Sequence, residues 1–294
     1  MADEQPEVSF PATHVHEPTA EHTHTAIMLH GRGSNGPEFS EELFSMKLSG
    51  PSGNLASHFP GWRWVFPSSG MSWSTAFQEE QCAWFDVYSL TDITARQELQ
   101  MDGLDESIRR ILRILDEETE RLGGDSTRIV LGGLSQGSAT ALWTLLYYGR
   151  PSTLIGGFVG TSGWLPFPTD VEEFLGGASG TAESGSRSAS EISEARAFVE
   201  DMMGSTKRSL LKYDAHPLRS IPVFLGHGTD DAYVDVSLGR QARDVLTKLG
   251  FTVQWREYVG AELEGHWLKE PEEMDDIAAF LEDFEEQGRS GHNR

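Results

Sequence analysis

Ser135 stands in Gly133-Leu-Ser-Gln-Gly137, after the apolar run Ile129-Val-Leu131 and before Ser138-Ala-Thr-Ala-Leu-Trp143. A strand pattern that passes into a helix pattern through a glycine-flanked serine predicts a strained turn with its hydroxyl projected above a sheet, because side chains at the glycines would clash. Such a hydroxyl is suited to attack on an acyl carbonyl. The backbone N–H of Gln136 and the start of the following helix would favour the negative charge that develops on the carbonyl oxygen.

A serine hydroxyl is a weak nucleophile until a base takes its proton, and on this kind of turn the partners follow in the order Ser, then Asp or Glu, then His. The chain has 10 histidines. His14, His16, His22, His24, His30 and His58 precede Ser135, and His216 and His227 come too early to have a strand-end acid before them. His292 lies in a polar tail, which leaves His266, between the strand-like Phe251-Thr-Val-Gln-Trp-Arg-Glu-Tyr258 and a last helix. The acid should follow a strand upstream of it. Ile221-Pro-Val-Phe-Leu225 leads to Asp230 and Asp231, of which Asp231 is preferred and Asp230 stays open. A carboxylate there would hold the imidazole tautomer and stabilise the imidazolium. A second oxyanion donor is expected in the loop after an early strand, and Leu29-His-Gly-Arg-Gly33 supplies the N–H of Arg32, with His30 bonding the loop in place.

The elements that must hold these residues follow from periodicity. Strands are expected at Thr23 to Leu29, Trp62 to Phe66, Arg128 to Leu131, Leu154 to Val159, Ile221 to Leu225 and Phe251 to Tyr258. Helices are expected at Leu104 to Leu122, Ser138 to Tyr148, Val236 to Leu249 and Glu272 to Glu285. Strands alternating with helices, several of them apolar throughout, predict an α/β fold with a mostly parallel central sheet and helices on both faces. We expect one domain over residues 21–286, with flexible ends at 1–20 and 287–294. An insertion at about 168–219 would contain a flexible stretch at 176–190 and a helix from Glu191 to Lys212, either a mobile cap over the site or an ornament.

Composition narrows the partners. With 46 acidic against 23 basic residues the formal charge is −23, which repels phosphate backbones and anionic lipid surfaces, so nucleic acid is a poor partner. One cysteine, Cys82, excludes an intramolecular disulfide and fits a reducing compartment. The first 25 residues have neither a basic nor an apolar signal region, and no apolar run approaches the roughly 20 residues of a membrane span, so a soluble cytoplasmic protein without stable membrane insertion is expected. His14-Val-His16 and His22-Thr-His24 have the spacing of metal ligands on a strand, but no further ligand completes a site, and we expect no metal and no cofactor.

Leu29-His-Gly-Arg-Gly-Ser-Asn-Gly36, Trp84-Phe-Asp86, Gly133-Leu-Ser-Gln-Gly-Ser-Ala139, Thr161-Ser-Gly-Trp-Leu-Pro166, Gly226 to Val234 and the late Gly265-His266 occur in one order between Thr23 and Leu281. Together they resemble the phospholipase/carboxylesterase family of α/β-hydrolases, which includes the acyl-protein thioesterases and lysophospholipase-like esterases. The resemblance implies the α/β-hydrolase fold, a Ser135, Asp231 and His266 triad, Arg32 and Gln136 as backbone donors, and Trp164 and Tyr233 lining the acyl site. It implies an acyl ester or thioester substrate, whether small molecule, lysolipid or acylated protein, and a monomer or weak homodimer. A short-chain carboxylesterase is the alternative within that class. Two departures stand out: the thioesterases carry an apolar residue where Arg32 stands, and their connection corresponding to Phe167 through Ser220 is short.

Overall fold

The computed structural model describes residues 10–89, 92–93, 95–147, 154–174, 189–212 and 220–291. A seven-stranded sheet runs in the order β1-β3-β2-β6-β7-β8-β9. Its strands are β1 (His14–His16), β2 (His24–Leu29), β3 (Trp62–Phe66), β6 (Ile129–Leu134), β7 (Gly157–Thr161), β8 (Pro222–Gly228) and β9 (Thr252–Tyr258). Only β1 is antiparallel to its neighbour. A separate hairpin pairs β4 (Met71–Ser74) with β5 (Glu79–Cys82).

Successive side chains of a strand point to opposite faces, and here both faces are apolar. Ile27 and Leu29 of β2 enter one core while Ala26 and Met28 enter the other. The first core is closed by α3 (Glu98–Arg121), α4 (Gln136–Tyr147), α6 (Ala189–Lys212) and α7 (Val236–Lys248). The second is closed by α1 (Gly36–Ser45), α2 (Leu55–His58) and α8 (Glu272–Gly291). The predicted α/β-hydrolase architecture is therefore present. Helix α3 buries Leu104, Ile108, Ile111 and Leu115, as the three-and-four spacing requires.

Two expectations are corrected. Within the supposedly flexible 1–20, His14, Val15 and His16 pair with Phe66, Val65 and Trp64, because an edge strand of three residues gains its hydrogen bonds from β3 and leaves too short a pattern to read. Helix α8 continues to Gly291, into the segment assigned to a flexible tail. For the insertion, left open as a cap or an ornament, the described helix is built into the core. After the short α5 (Pro168–Phe174), helix α6 buries Ala195, Val199, Met202 and Met203 in the first core, and Phe198 packs against Trp143 of α4, with ring centroids 5.7 Å apart. Residues 175–188, which hold most of the stretch read as flexible, lie outside the described residues. Among the described residues no helix is long and apolar enough to cross a membrane.

Candidate active site

Ser135 follows β6 directly and has φ 55°, while Gln136 opens α4. A serine is strained in this left-handed conformation, and it persists only where the surroundings impose it. Ser135 N donates to Thr161 O at 2.9 Å, which fixes the corner against β7. The flanking glycines are obligatory: a Cβ on Gly137 would lie 2.3 Å from Leu29 O, and one on Gly133 would lie 2.7 Å from the Gly137 carbonyl carbon. Their absence lets β2 and the turn approach closely enough to leave Ser135 8% exposed at the carboxyl end of the sheet.

His266 reaches this serine from the loop after β9. Its Nε2 lies 2.9 Å from Ser135 Oγ and its Nδ1 lies 2.8 Å from Asp231 Oδ2. An ionised carboxylate can only accept, so Nδ1 carries the proton and donates to Asp231, and Nε2 is left to accept from the serine hydroxyl. The turn before the histidine is unusual, with positive φ at Leu263 (49°), Glu264 (53°) and Gly265 (84°). At Gly265 the loops of acid and base touch: a Cβ there would stand 2.7 Å from Asp230 O and 2.8 Å from Asp231 N.

The structure separates the two adjacent aspartates. Asp231 has a fully buried side chain, and its Oδ1 accepts from the N–H groups of Tyr233 and Val234, each at 2.9 Å. Asp230 turns away and accepts from Gly260 N at 2.9 Å. Burial alone would raise the Asp231 pKa, but hydrogen bonds from His227 and His266, the charge of His266 and the Val234 N–H outweigh it and hold the carboxylate well below the usual range. His227 was set aside in the sequence as a base and was not recognised as a partner of the acid. Its buried Nε2 donates to Val234 O at 2.9 Å and sits 3.4 Å from Asp231 Oδ2.

On the other side of Ser135 the loop after β2 passes so closely that a Cβ on Gly31 would be 3.6 Å from Ser135 Cβ. Neither the N–H of Arg32 nor that of Gln136 donates to another backbone carbonyl among the described residues. The Gln136 side chain does work that sequence reasoning missed, because its partners lie some 50 residues away. Its Oε1 accepts from Trp84 N at 3.0 Å and its Nε2 donates to Phe85 O at 2.7 Å. Trp84 Nε1 in turn donates to His30 O at 2.8 Å, and Ser69 N donates to His30 Nε2 at 3.0 Å. Burial lowers the His30 pKa to about 4, so His30 is neutral and structural, as expected from the sequence.

These groups open into a cavity of about 470 Å³ whose wall includes Arg32, Phe39, Ser135, Trp164, Tyr233 and His266. Trp164 is 1% exposed within the wall, while Tyr233 is 47% exposed with its ring centroid 5.3 Å from that of His266. The structure thus brings six of the seven residues singled out in the sequence to one cavity, and the seventh, Asp231, is buried behind His266. The arrangement offers a hydroxyl, a base to accept its proton and a buried anion behind the base, with Arg32 and Gln136 in the same cavity wall.

Comparison with known proteins gives the same class. Residues 11–181 match the model of the phospholipase/carboxylesterase family. Acyl-protein thioesterase 1 of Yarrowia lipolytica is 27% identical over 277 residues, covering 93% of this chain and 97% of that protein. The Schizosaccharomyces pombe protein of the same name is 32% identical over 159 residues, 54% of this chain and 63% of its own. Among solved structures, Zea mays acyl-protein thioesterase 2 superposes with a TM-score of 0.62 at 24% identity, covering 93% of this chain and 98% of its own. Esterase PE8 does so with 0.61 at 19% identity, covering 95% and 99%. At those identities the structural likeness speaks to the fold.

Proposed function

We propose, on the premise that this chain belongs to the phospholipase/carboxylesterase family, that it hydrolyses acyl esters or thioesters through an acyl-enzyme on Ser135. The observation that carries the reading is His266, held between Ser135 Oγ at 2.9 Å and Asp231 Oδ2 at 2.8 Å. Ser135 Oγ attacks the acyl carbonyl as its proton passes to His266 Nε2, and the resulting oxyanion is met by the N–H groups of Arg32 and Gln136. The imidazolium is stabilised by Asp231 and then protonates the departing alcohol or thiol. A water molecule next gives its proton to His266 and attacks the acyl-enzyme, releasing the carboxylic acid and restoring Ser135. These residues supply every proton transfer and charge contact, so the mechanism calls for no metal or cofactor. The reading includes a cytoplasmic location and a monomer or weak homodimer.

Two substrate ranges follow. Likeness to acyl-protein thioesterases supports the acyl groups of acylated proteins as substrates, whereas the guanidinium of Arg32 in the cavity wall favours short or polar acyl groups. Labelling with a fluorophosphonate tests the nucleophile: stoichiometric modification at Ser135 is expected, and failure of the folded protein to react would overturn the mechanism. A series of p-nitrophenyl esters from acetate to palmitate separates the ranges, because each buried methylene contributes about 0.8 kcal/mol. A maximum at about eight carbons or beyond would place the activity with long-chain thioesterases and lysophospholipases, and one at about two to four carbons with small-ester carboxylesterases.

A further inference from the structure

Arg32 brings a guanidinium to the wall of the cavity that holds Ser135. Its guanidinium carbon stands over the ring of Phe77, 4.5 Å from the centroid, so the turn of the β4–β5 hairpin fixes it in place. Despite that anchoring it is not paired. Among the described residues Arg32 makes no ion pair, and its Nη1 is buried without an acceptor. Burial draws its pKa below the ordinary value, with the charge of Asp86 opposing. Asp86 is itself engaged, accepting from Thr75 N at 3.0 Å and from the Thr75 hydroxyl.

A second donor in the same wall is in the same condition: Trp164 Nε1 is buried and has no acceptor. An unpaired guanidinium in the wall of a cavity favours an occupant that brings acceptors. The other charges of the wall, Glu38 and Glu42, stand one turn apart on α1 and repel an anion, which confines any negative group to the neighbourhood of Arg32. A guanidinium offers a planar fork of donors matched to carboxylate or phosphate oxygens.

Resting on the hydrolase reading above, we infer that the cavity selects acyl esters or thioesters that carry an anionic group, carboxylate or phosphate, near the scissile carbonyl, with Arg32 as the residue that recognises it. A neutral alkyl chain would offer the guanidinium no acceptor.

Two substrate pairs test this in the full chain. Mono-p-nitrophenyl adipate against its methyl ester places the anion on the acyl side. 1-Butyrylglycerol 3-phosphate against 1-butyrylglycerol places it on the leaving group. The wild-type ratio of kcat/KM, charged over neutral, should be about tenfold or more in one pair, the worth of a charge-assisted hydrogen bond, and the pair that responds identifies the source of the anion. Arg32→Leu should bring that ratio to one or below, while Arg32→Lys retains a preference for charge. Ratios within about twofold in both pairs, or a preference that survives Arg32→Leu, would overturn the inference. The wild-type ratio needs no variant to fold. p-Nitrophenyl butyrate is the control: turnover of it with flat ratios refutes the anion site alone, whereas no turnover of any ester brings down the hydrolase reading and the inference with it.

Discussion

Glu273, in the first turn of α8, lies behind the site as a buried acid. Its Oε2 accepts from Lys269 N at 2.9 Å, which fixes the loop that carries His266, while its Oε1 is buried without a partner. The carboxyl lies so close to β8 that a Cβ on Gly226 would be 2.1 Å from Oε1. Burial, reinforced by the charge of Asp276 and opposed by the Lys269 N–H, pushes its pKa from 4.5 up to about 8. The folded protein therefore keeps this proton at pH values where the unfolded chain has lost it. Across the window from about 4.5 to about 8 the unfolded state binds fewer protons, so stability falls as pH rises, by about 1.4 kcal/mol per unit. Over the whole window the loss is on the order of 3–5 kcal/mol, a large part of the stability of an ordinary protein. Glu273→Gln keeps the shape and the acceptor for Lys269 N but removes the titration. In urea unfolding at pH 5 and at pH 8.5, the variant should gain about 3–5 kcal/mol on the wild type between the two conditions. Parallel pH dependence in the two proteins, within about 0.5 kcal/mol, would refute the assignment of a buried neutral acid.

Further changes test other parts of the site. Asp231→Asn should lower kcat on p-nitrophenyl esters by about 10⁴-fold, because an amide favours the wrong imidazole tautomer, whereas Asp230→Asn should retain most of the activity; equal losses would contradict the separate roles drawn from the two side chains. Gly265→Ala places a methyl group 2.7 Å from Asp230 O in a backbone with φ 84°. Forcing acid and base apart by about 1 Å should reduce kcat/KM about 100-fold, measured beside far-UV circular dichroism to verify folding, and unimpaired turnover would show that the loops yield. Trp143→Ala in α4 removes a fully buried indole that packs on Phe167 and Phe198 and donates to Pro166 O at 3.0 Å. A loss of about 3–5 kcal/mol in denaturant is expected, and a much smaller loss would mean that α6 is not part of the core.

The chemistry was more legible in the sequence than its supports. Gly133 to Gly137 announced a corner because a strand pattern and a helix pattern met there, and chain order together with the polar setting of His292 reduced ten histidines to His266. The α/β alternation was readable for the same reason: β2, β6 and β8 are apolar on both faces. The hairpin β4–β5 was invisible because it is largely solvent-exposed, with the alternation of Met71 and Trp73 against serines too short to read and none in β5. Helix α1 did carry signals, an Asn35 cap that accepts from Glu38 N and a proline in its first turn, and they were passed over beside the adjoining glycine-rich loop. What no local pattern could reveal is distance in the chain: Gln136 grips Trp84 and Phe85, and Gly265 lets two loops meet that are separated by more than 30 residues.

The hairpin β4–β5 shares no ladder with the seven-stranded sheet, yet Cys82 O accepts from Gly33 N at 2.8 Å and Phe77 lies against Arg32. It touches the reaction centre from outside the scaffold that makes the centre. Substitutions in its turn can therefore re-cut what the cavity admits while the register of the sheet and the alignment of Ser135, His266 and Asp231 are kept. A lineage descending from this chain could change diet through a dozen surface residues, and a protein engineer could graft that same segment between relatives before altering anything else.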